Sequence, residues 1–195
     1  MIAGSVQPAS YSPVRQTVSV LAGYAGTDRW IMTTALFLVG GCDLVTAAGL
    51  TGVRARARIL LAIAGLASIG IAASPEPVHG SSPGHLAWTV LGAAAITLWP
   101  AFAARSLLAG PGGPAVLRVC AAAAVTAVLI ALLGWLLFET QGGDMLGLAE
   151  RLTTAAQTSW PFIVALALRR TPRRPSTASW PARVGGFTVT GGRCR

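Results

Sequence analysis

The sequence predicts an all-α protein, a polytopic transmembrane helical bundle that crosses a bilayer five times. Three observations carry that reading. Of 195 residues, 53% are hydrophobic and only 11% are charged; a soluble domain carries roughly 25% charged residues, so this chain has too few to cover a water-facing surface. Five stretches approach the ~20 apolar residues that a helix needs to cross a hydrocarbon core about 30 Å thick. The basic residues, all fifteen of them arginine, crowd into alternate loops. The same composition excludes a disordered chain, which is poor in apolar residues. Three cysteines (Cys42, Cys120 and Cys194) are too few for a disulfide scaffold.

Residues 1–28 lack both the basic start and the apolar run of a signal peptide and read as an extracytoplasmic segment. A bundle follows over 29–168. Its first span, 30–50, is apolar except for Asp43. In the second, 57–74, the uncharged run Ile59 to Ala73 is 15 residues, about 22 Å as a helix; Arg56 and Arg58 are expected to snorkel to the interface and close the gap. The third, 86–104, carries Trp99-Pro100, a kink near one end. The fourth, 119–138, has no charge at all. The fifth, 148–168, is solidly apolar only from Trp160 to Leu168. Residues 169–195 hold seven arginines, three prolines and no acid, and read as a disordered basic tail.

Orientation follows from the arginines, since cytoplasmic loops collect them. With five spans, twelve arginines fall on one side: 54, 56 and 58, then 105 and 118, then the seven of the tail. Only Arg15, Arg29 and Arg151 fall on the other, together with Asp28, Glu76, Glu139, Asp144 and Glu150. The N-terminus is therefore expected outside and the C-terminus in the cytoplasm. Trp30, Trp88 and Trp135 then land near the outer helix ends, where amphipathic rings favour the interface.

Several local patterns also resemble one family. Tyr11-Ser12-Pro13-Val14-Arg15-Gln16-Thr17-Val18-Ser19 precedes Trp30-Ile31-Met32 and a first span; a Pro75, Pro77, Gly80 turn follows span two; Leu98-Trp99-Pro100 lies in span three; Gly147-Leu148-Ala149-Glu150-Arg151-Leu152 opens the last. Over about residues 8 to 168 these resemble the bacterial membrane family catalogued as domain of unknown function 998. The resemblance implies a six-helix bundle in the bacterial inner (plasma) membrane, with the Tyr-Ser-Pro block just outside helix one. This chain is expected to lack that helix, with Met1 falling where it ends, as a late-assigned start codon would produce. The resemblance implies no activity.

The residues that could carry chemistry are few. Asp43 lies seven residues before the inner end of its span; an acid there costs roughly 2.5–3.5 kcal/mol on insertion scales. It reads as a proton or ion relay, or as an acid packed between helices near Thr46, Thr97 or Arg54. Glu150, Thr153, Thr154, Gln157, Thr158 and Pro161 recur at helical spacing, either lining a cavity or hydrogen-bonding neighbouring helices at roughly 0.6 kcal/mol each. Arg15 and Arg151, on the sparse side, are candidates to clamp a lipid phosphate or carboxylate bidentately; for Arg15 the alternative is a pair with Asp28 or Glu150. His79 and His85 with Glu76 lack the defined ligand set of a metal site, and Ser81 and Ser82 have no partners placed for a triad. The ligand candidates are thus Arg15, His85, Glu150, Arg151 and Gln157, with Asp43 as the intramembrane polar group; no catalytic residue, metal or cofactor is expected.

Ala64, Ser68, Ala72 and Ala123, Ala127, Ala131 recur four apart and are expected to pack helices within the bundle; a homo-oligomer is compatible with them. Cys42 and Cys120 read as small packing residues. The tail's arginines suit anionic lipid headgroups, at about 1 kcal/mol each near the surface, and no folded module supports nucleic-acid binding. The expected function is a non-enzymatic envelope or membrane-structural role. The alternatives are a small transporter or lipid-handling protein using an outer polar pocket, and an outer-face enzyme using His85, Glu150 or Asp144. Convergence of Arg15, His85, Glu150 and Arg151 on one pocket would favour binding or catalysis. A reporter active only in the periplasm, fused after Arg195, is expected to be silent; strong activity would reverse the orientation.

Overall fold

The computed structural model describes residues 2–78, 80, 82–104 and 114–170. His79, Ser81, Arg105 and the tail from residue 171 lie outside the described residues. Two short helices, α1 (Ile2–Ser5) and α2 (Ser19–Ala22), precede five long ones: α3 (Trp30–Gly49), α4 (Ala55–Ala73), α5 (Pro83–Ala103), α6 (Val119–Glu139) and α7 (Leu146–Arg170). The described residues form no strand.

Each long helix sits where an apolar stretch was expected. Four of them, α3 to α6, are long and apolar enough to cross a membrane. The fifth, α7, has 25 residues, about 37 Å, so length is not its shortfall. Its first half, with two charges, three threonines and a glutamine, keeps it out of that class.

α3, α4 and α5 pack side by side, and α6 and α7 close against α5. Only 11% of the apolar stretch of α3 or α6 is buried, against 33% for α4 and α5, which puts α4 and α5 in the middle of the row. Glycine sets the α3–α4 crossing. A Cβ on Gly40 would lie 2.6 Å from the Gly65 carbonyl oxygen and 2.7 Å from Ile69 Cγ1, so the two backbones touch. One turn further along α4, Gly70 leaves room for the Trp88 ring of α5. Ser68 Oγ donates to the Leu36 carbonyl across the same crossing at 2.9 Å.

The two ends of the bundle differ. At the end where Arg54 to Arg58 and Arg118 lie, an apolar core gathers Leu50, Val53, Leu61, Ile96, Leu117 and Val164 around Trp99, which is wholly buried. Arg58 does not simply reach outward, as snorkelling would have it. Its Nε donates to the Ala47 carbonyl at 2.7 Å and Nη2 to the Ala48 carbonyl at 3.2 Å. A cation thus meets the unpaired carbonyls and negative dipole end of α3. At the opposite end, called the cap end below, residues 2–28 fold over the helix termini.

Two packing expectations are corrected. Ala64 and Ala72 are buried, but Ala123, Ala127 and Ala131 are exposed, so that stripe faces away from the bundle. α6 turns Ala122 and Leu129 inward instead. Cys42 and Cys120 are also exposed and do not pack between helices. The adjacent glycines of α3 give a direct test. Gly40→Ala is expected to destabilise the solubilised protein by about 1–3 kcal/mol, the usual cost of overpacking. Gly41→Ala, whose new methyl would meet nothing within 4 Å, is expected to leave thermal unfolding unchanged or slightly raised.

Candidate functional site

Residues 11–19 lie across the first turns of α7, and α7 holds them with polar groups. Leu148 N–H donates to the Val14 carbonyl at 2.9 Å. Gly147 permits this approach, because a Cβ there would collide with the carbonyls of Gln16 and Pro13. Within the segment, a turn is closed by Gln16 N–H on the Ser12 carbonyl at 2.8 Å and by Ser12 N–H on Gln16 Oε1 at 3.2 Å.

Two consecutive side chains of α7 complete the clamp. Arg151 Nη1 donates to the carbonyls of Pro13 (2.6 Å), Gln16 (2.9 Å) and its own helix's Gly147 (2.8 Å), and Nη2 donates to Tyr11 Oη. Glu150 points the other way. Its Oε2 accepts from Val18 N–H and its Oε1 from Ser19 Oγ at 3.3 Å, capturing donors at the start of α2. One cation thus serves carbonyls that α2 cannot use, and one anion serves N–H and O–H groups.

Further ties fix the rest of the cap end. Gln7 pairs in both directions with Thr27, donating to its carbonyl at 2.8 Å and accepting its N–H at 3.1 Å. Tyr24 N–H donates to the Glu76 carbonyl at 3.0 Å. The turn between α6 and α7 is organised by the buried Glu139, which accepts from Met145 N–H at 2.9 Å and Trp135 Nε1 at 3.1 Å. Gly143 makes room for that carboxylate.

The candidates from sequence therefore separate. Glu150 and Arg151 act together. Arg15 lies on the clamped segment but turns outward to Asp144 at 3.4 Å, both well exposed; neither Asp28 nor Glu150 is its partner. His85 is buried at the start of α5, and its N–H donates to the capping Ser82 Oγ at 3.1 Å. Its Nδ1 meets the Ser74 carbonyl at 2.8 Å. A carbonyl only accepts, so Nδ1 carries the proton and Nε2 faces Glu76 Oε1 at 3.7 Å. Gln157 lies deeper, donating Nε2 to Thr97 Oγ1 of α5 at 2.9 Å, with both residues buried. Asp43 stands half-buried beside Gly65, with no hydrogen bond or ion pair among the described residues.

The stripe of α7 also divides. Thr153, Gln157 and Pro161 are buried, and Thr153 Oγ1 donates to the Ala149 carbonyl at 2.7 Å and reaches that of Leu132 on α6 at 3.1 Å. Thr154 and Thr158 are exposed, and Thr158 Oγ1 donates back to the Thr154 carbonyl at 2.8 Å. The threonines adjacent in sequence stand about 100° apart on a helix, so one stripe cannot hold both.

Of the expected ligand residues, Arg151 alone lines the cleft of about 550 Å³ that opens at the cap end, between α1 and the Tyr11–Pro13 stretch. Two participants were not among the candidates. Tyr11 belongs to the block that carried the family resemblance, but its contact with Arg151 spans 140 positions of sequence. Glu139 closes an apolar span just before Gly142-Gly143, and no local pattern marks it as the carboxylate that Gly143 makes room for.

The family model described as "Protein of unknown function (DUF998)" matches residues 1–167, taking in both sides of the clamp. No curated protein and no solved structure matches the chain.

Limited proteolysis reads the clamp directly. Arg151→Met leaves the exposed Pro13 and Gln16 carbonyls to water in place of their donor, a loss of about 0.5–1.5 kcal/mol. Cleavage within residues 12–28 is then expected roughly 2- to 13-fold faster, since 1.36 kcal/mol is tenfold. Gly147→Leu is expected to act in the same direction. Arg15→Ala, removing an exposed pair, is expected to leave the cleavage rate unchanged.

Proposed function

The chain belongs to the DUF998 family, and from that premise we propose that it is a non-enzymatic membrane protein with a structural role in the bacterial envelope. In this reading it lies in the inner (plasma) membrane and crosses it five times, α7 included. The cap end faces outward, and the arginine-rich end and tail meet anionic headgroups of the cytoplasmic leaflet. The asymmetry of twelve arginines against three supports the orientation.

One observation carries the structural role. The strongest polar groups of the cap end, Glu150 and Arg151, hold the chain's own backbone. Chemistry on a substrate needs a nucleophile, base or acid within reach of a reacting atom. A carboxylate committed to Val18 and Ser19, and a buried histidine held by Ser74, are instead arranged as fixed ties. The same ties make a rigid lid over helix ends that would otherwise expose unpaired backbone at the bilayer surface.

A second reading, a small transporter or lipid-handling protein, is favoured by the cleft beside Arg151 and by Asp43, an intramembrane acid of the kind found in ion pathways. Complementation of a deletion strain, scored by envelope lipid profile and detergent sensitivity, separates the two. Under the structural reading, Asp43→Asn and Gln157→Leu restore the parental envelope and Gly147→Leu does not. Failure of Asp43→Asn, with the protein present at normal level, overturns the structural reading in favour of transport.

A further inference from the structure

We propose that the cleft at the cap end holds the phosphate of a phospholipid headgroup. This rests on the second reading above and gives it a ligand class. Its test measures binding in the purified protein, so it can succeed or fail apart from any role in moving lipid.

Size is the first argument. A cleft of about 550 Å³ falls within the range of small-molecule sites, about 300–1,000 Å³, ample for a glycerophosphate group. The second argument is charge. Arg151 is the one charged residue of the lining, and the partners that satisfy its hydrogens are three carbonyls and a phenol, all neutral. The adjacent Glu150 carboxylate is turned to Val18 and Ser19 and does not line the cleft. Within the lining itself, the positive charge of Arg151 thus meets no anion, although the Glu150 carboxylate behind it interacts with it electrostatically.

The third argument is donor geometry. A guanidinium has five N–H groups. The two on Nη1 are taken by carbonyls, and one on Nη2 by Tyr11. The second Nη2 hydrogen and Nε–H meet no acceptor among the described residues. Tyr11 accepts from Arg151, so its own hydrogen is directed elsewhere. It finds no acceptor among the described residues either. The cleft wall therefore offers a cation and a phenolic donor side by side, which suits a tetrahedral anion with several acceptor oxygens. Pro13 and Leu21 supply apolar lining, suited to the glycerol and first acyl carbons. At the same end of the bundle, Trp30 at the start of α3 is exposed and Trp135 near the end of α6 is half-buried, as amphipathic rings are at a bilayer interface.

Native mass spectrometry of the full-length protein in detergent tests this with phosphatidylglycerol, with diacylglycerol of the same chains, and with inorganic phosphate as competitor. One phosphatidylglycerol is expected to be retained per chain, and diacylglycerol is not. Gly4→Leu adds a side chain to the cleft lining, and its Cβ has room, at 3.7 Å from Tyr11 Cε1. It is expected to weaken retention about tenfold or more, and so is Tyr11→Phe, about tenfold being the lower end of the range for a hydrogen bond to a charged group. The tail arginines are common to all variants, so only the difference between them counts. Should Gly4→Leu also loosen the cap to protease, Tyr11→Phe decides. Equal retention of diacylglycerol, or undiminished retention in the variants, overturns the proposal. Displacement of the lipid by equimolar inorganic phosphate overturns the lipid as the source of the phosphate.

Discussion

Arg151 and Glu150 are neighbours on α7, yet they face groups of opposite kind in the segment that crosses it. The Arg151 guanidinium collects carbonyls from the Tyr11–Gln16 turn; the Glu150 carboxylate collects the Val18 N–H and the Ser19 hydroxyl. The direction of the backbone makes this possible. A turn entering a short helix presents carbonyls on one side and unpaired N–H groups on the other, and a cation beside an anion can satisfy both. Gly147 brings the two chains close enough for it. The rest of the cap end depends on this seam. The Gln7–Thr27 pair and the Tyr24–Glu76 contact only close loops whose position the seam has already set.

Below the cap, the polar interactions become single and the contacts small. α3 meets α4 through Gly40 and Gly65, and one hydroxyl, Ser68, bridges them. α5 and α7 share one side-chain hydrogen bond, Gln157 to Thr97, beside the apolar core around Trp99. This gradient follows from the solvent. Hydrocarbon gives helices no hydrophobic reason to associate, so close backbone approach and isolated hydrogen bonds hold them. At the membrane surface, where backbone leaves the helix and must find partners, a charged seam does more than a methyl contact.

The five helices were legible in the sequence because each is announced by a run of apolar residues, a property of single positions. Trp99 and Pro100 were placed rightly in the third of them. The burial of side chains was less legible. Ala123, Ala127 and Ala131 repeat as regularly as Ala64, Ser68 and Ala72, yet the first set faces outward. Spacing reports that residues share a face, not what that face meets. Glu150 and Arg151 could be picked out as acid and base on the side where arginine is scarce. Their partners could not be, because a contact between Tyr11 and Arg151 joins positions 140 apart, and no local pattern encodes it.

The arginines show most clearly how location alters meaning. A positional count treats all fifteen as one signal, because translocation of a loop responds to charge near a span. Their chemistry nevertheless differs. Arg58 caps the carbonyl end of α3, so its charge opposes a helix dipole. Arg29 stacks over the Tyr24 ring at 4.7 Å, where the ring face offers the negative pole of a quadrupole. Arg15 meets an exposed acid and contributes little. Arg151 organises backbone. A lysine would preserve the count in every case and so preserve the topology, yet it has one point of charge where Arg151 has a planar fork. The three carbonyls and the phenol around Arg151 require that fork. The absence of lysine from this chain therefore matters at Arg151 far more than it does for orientation.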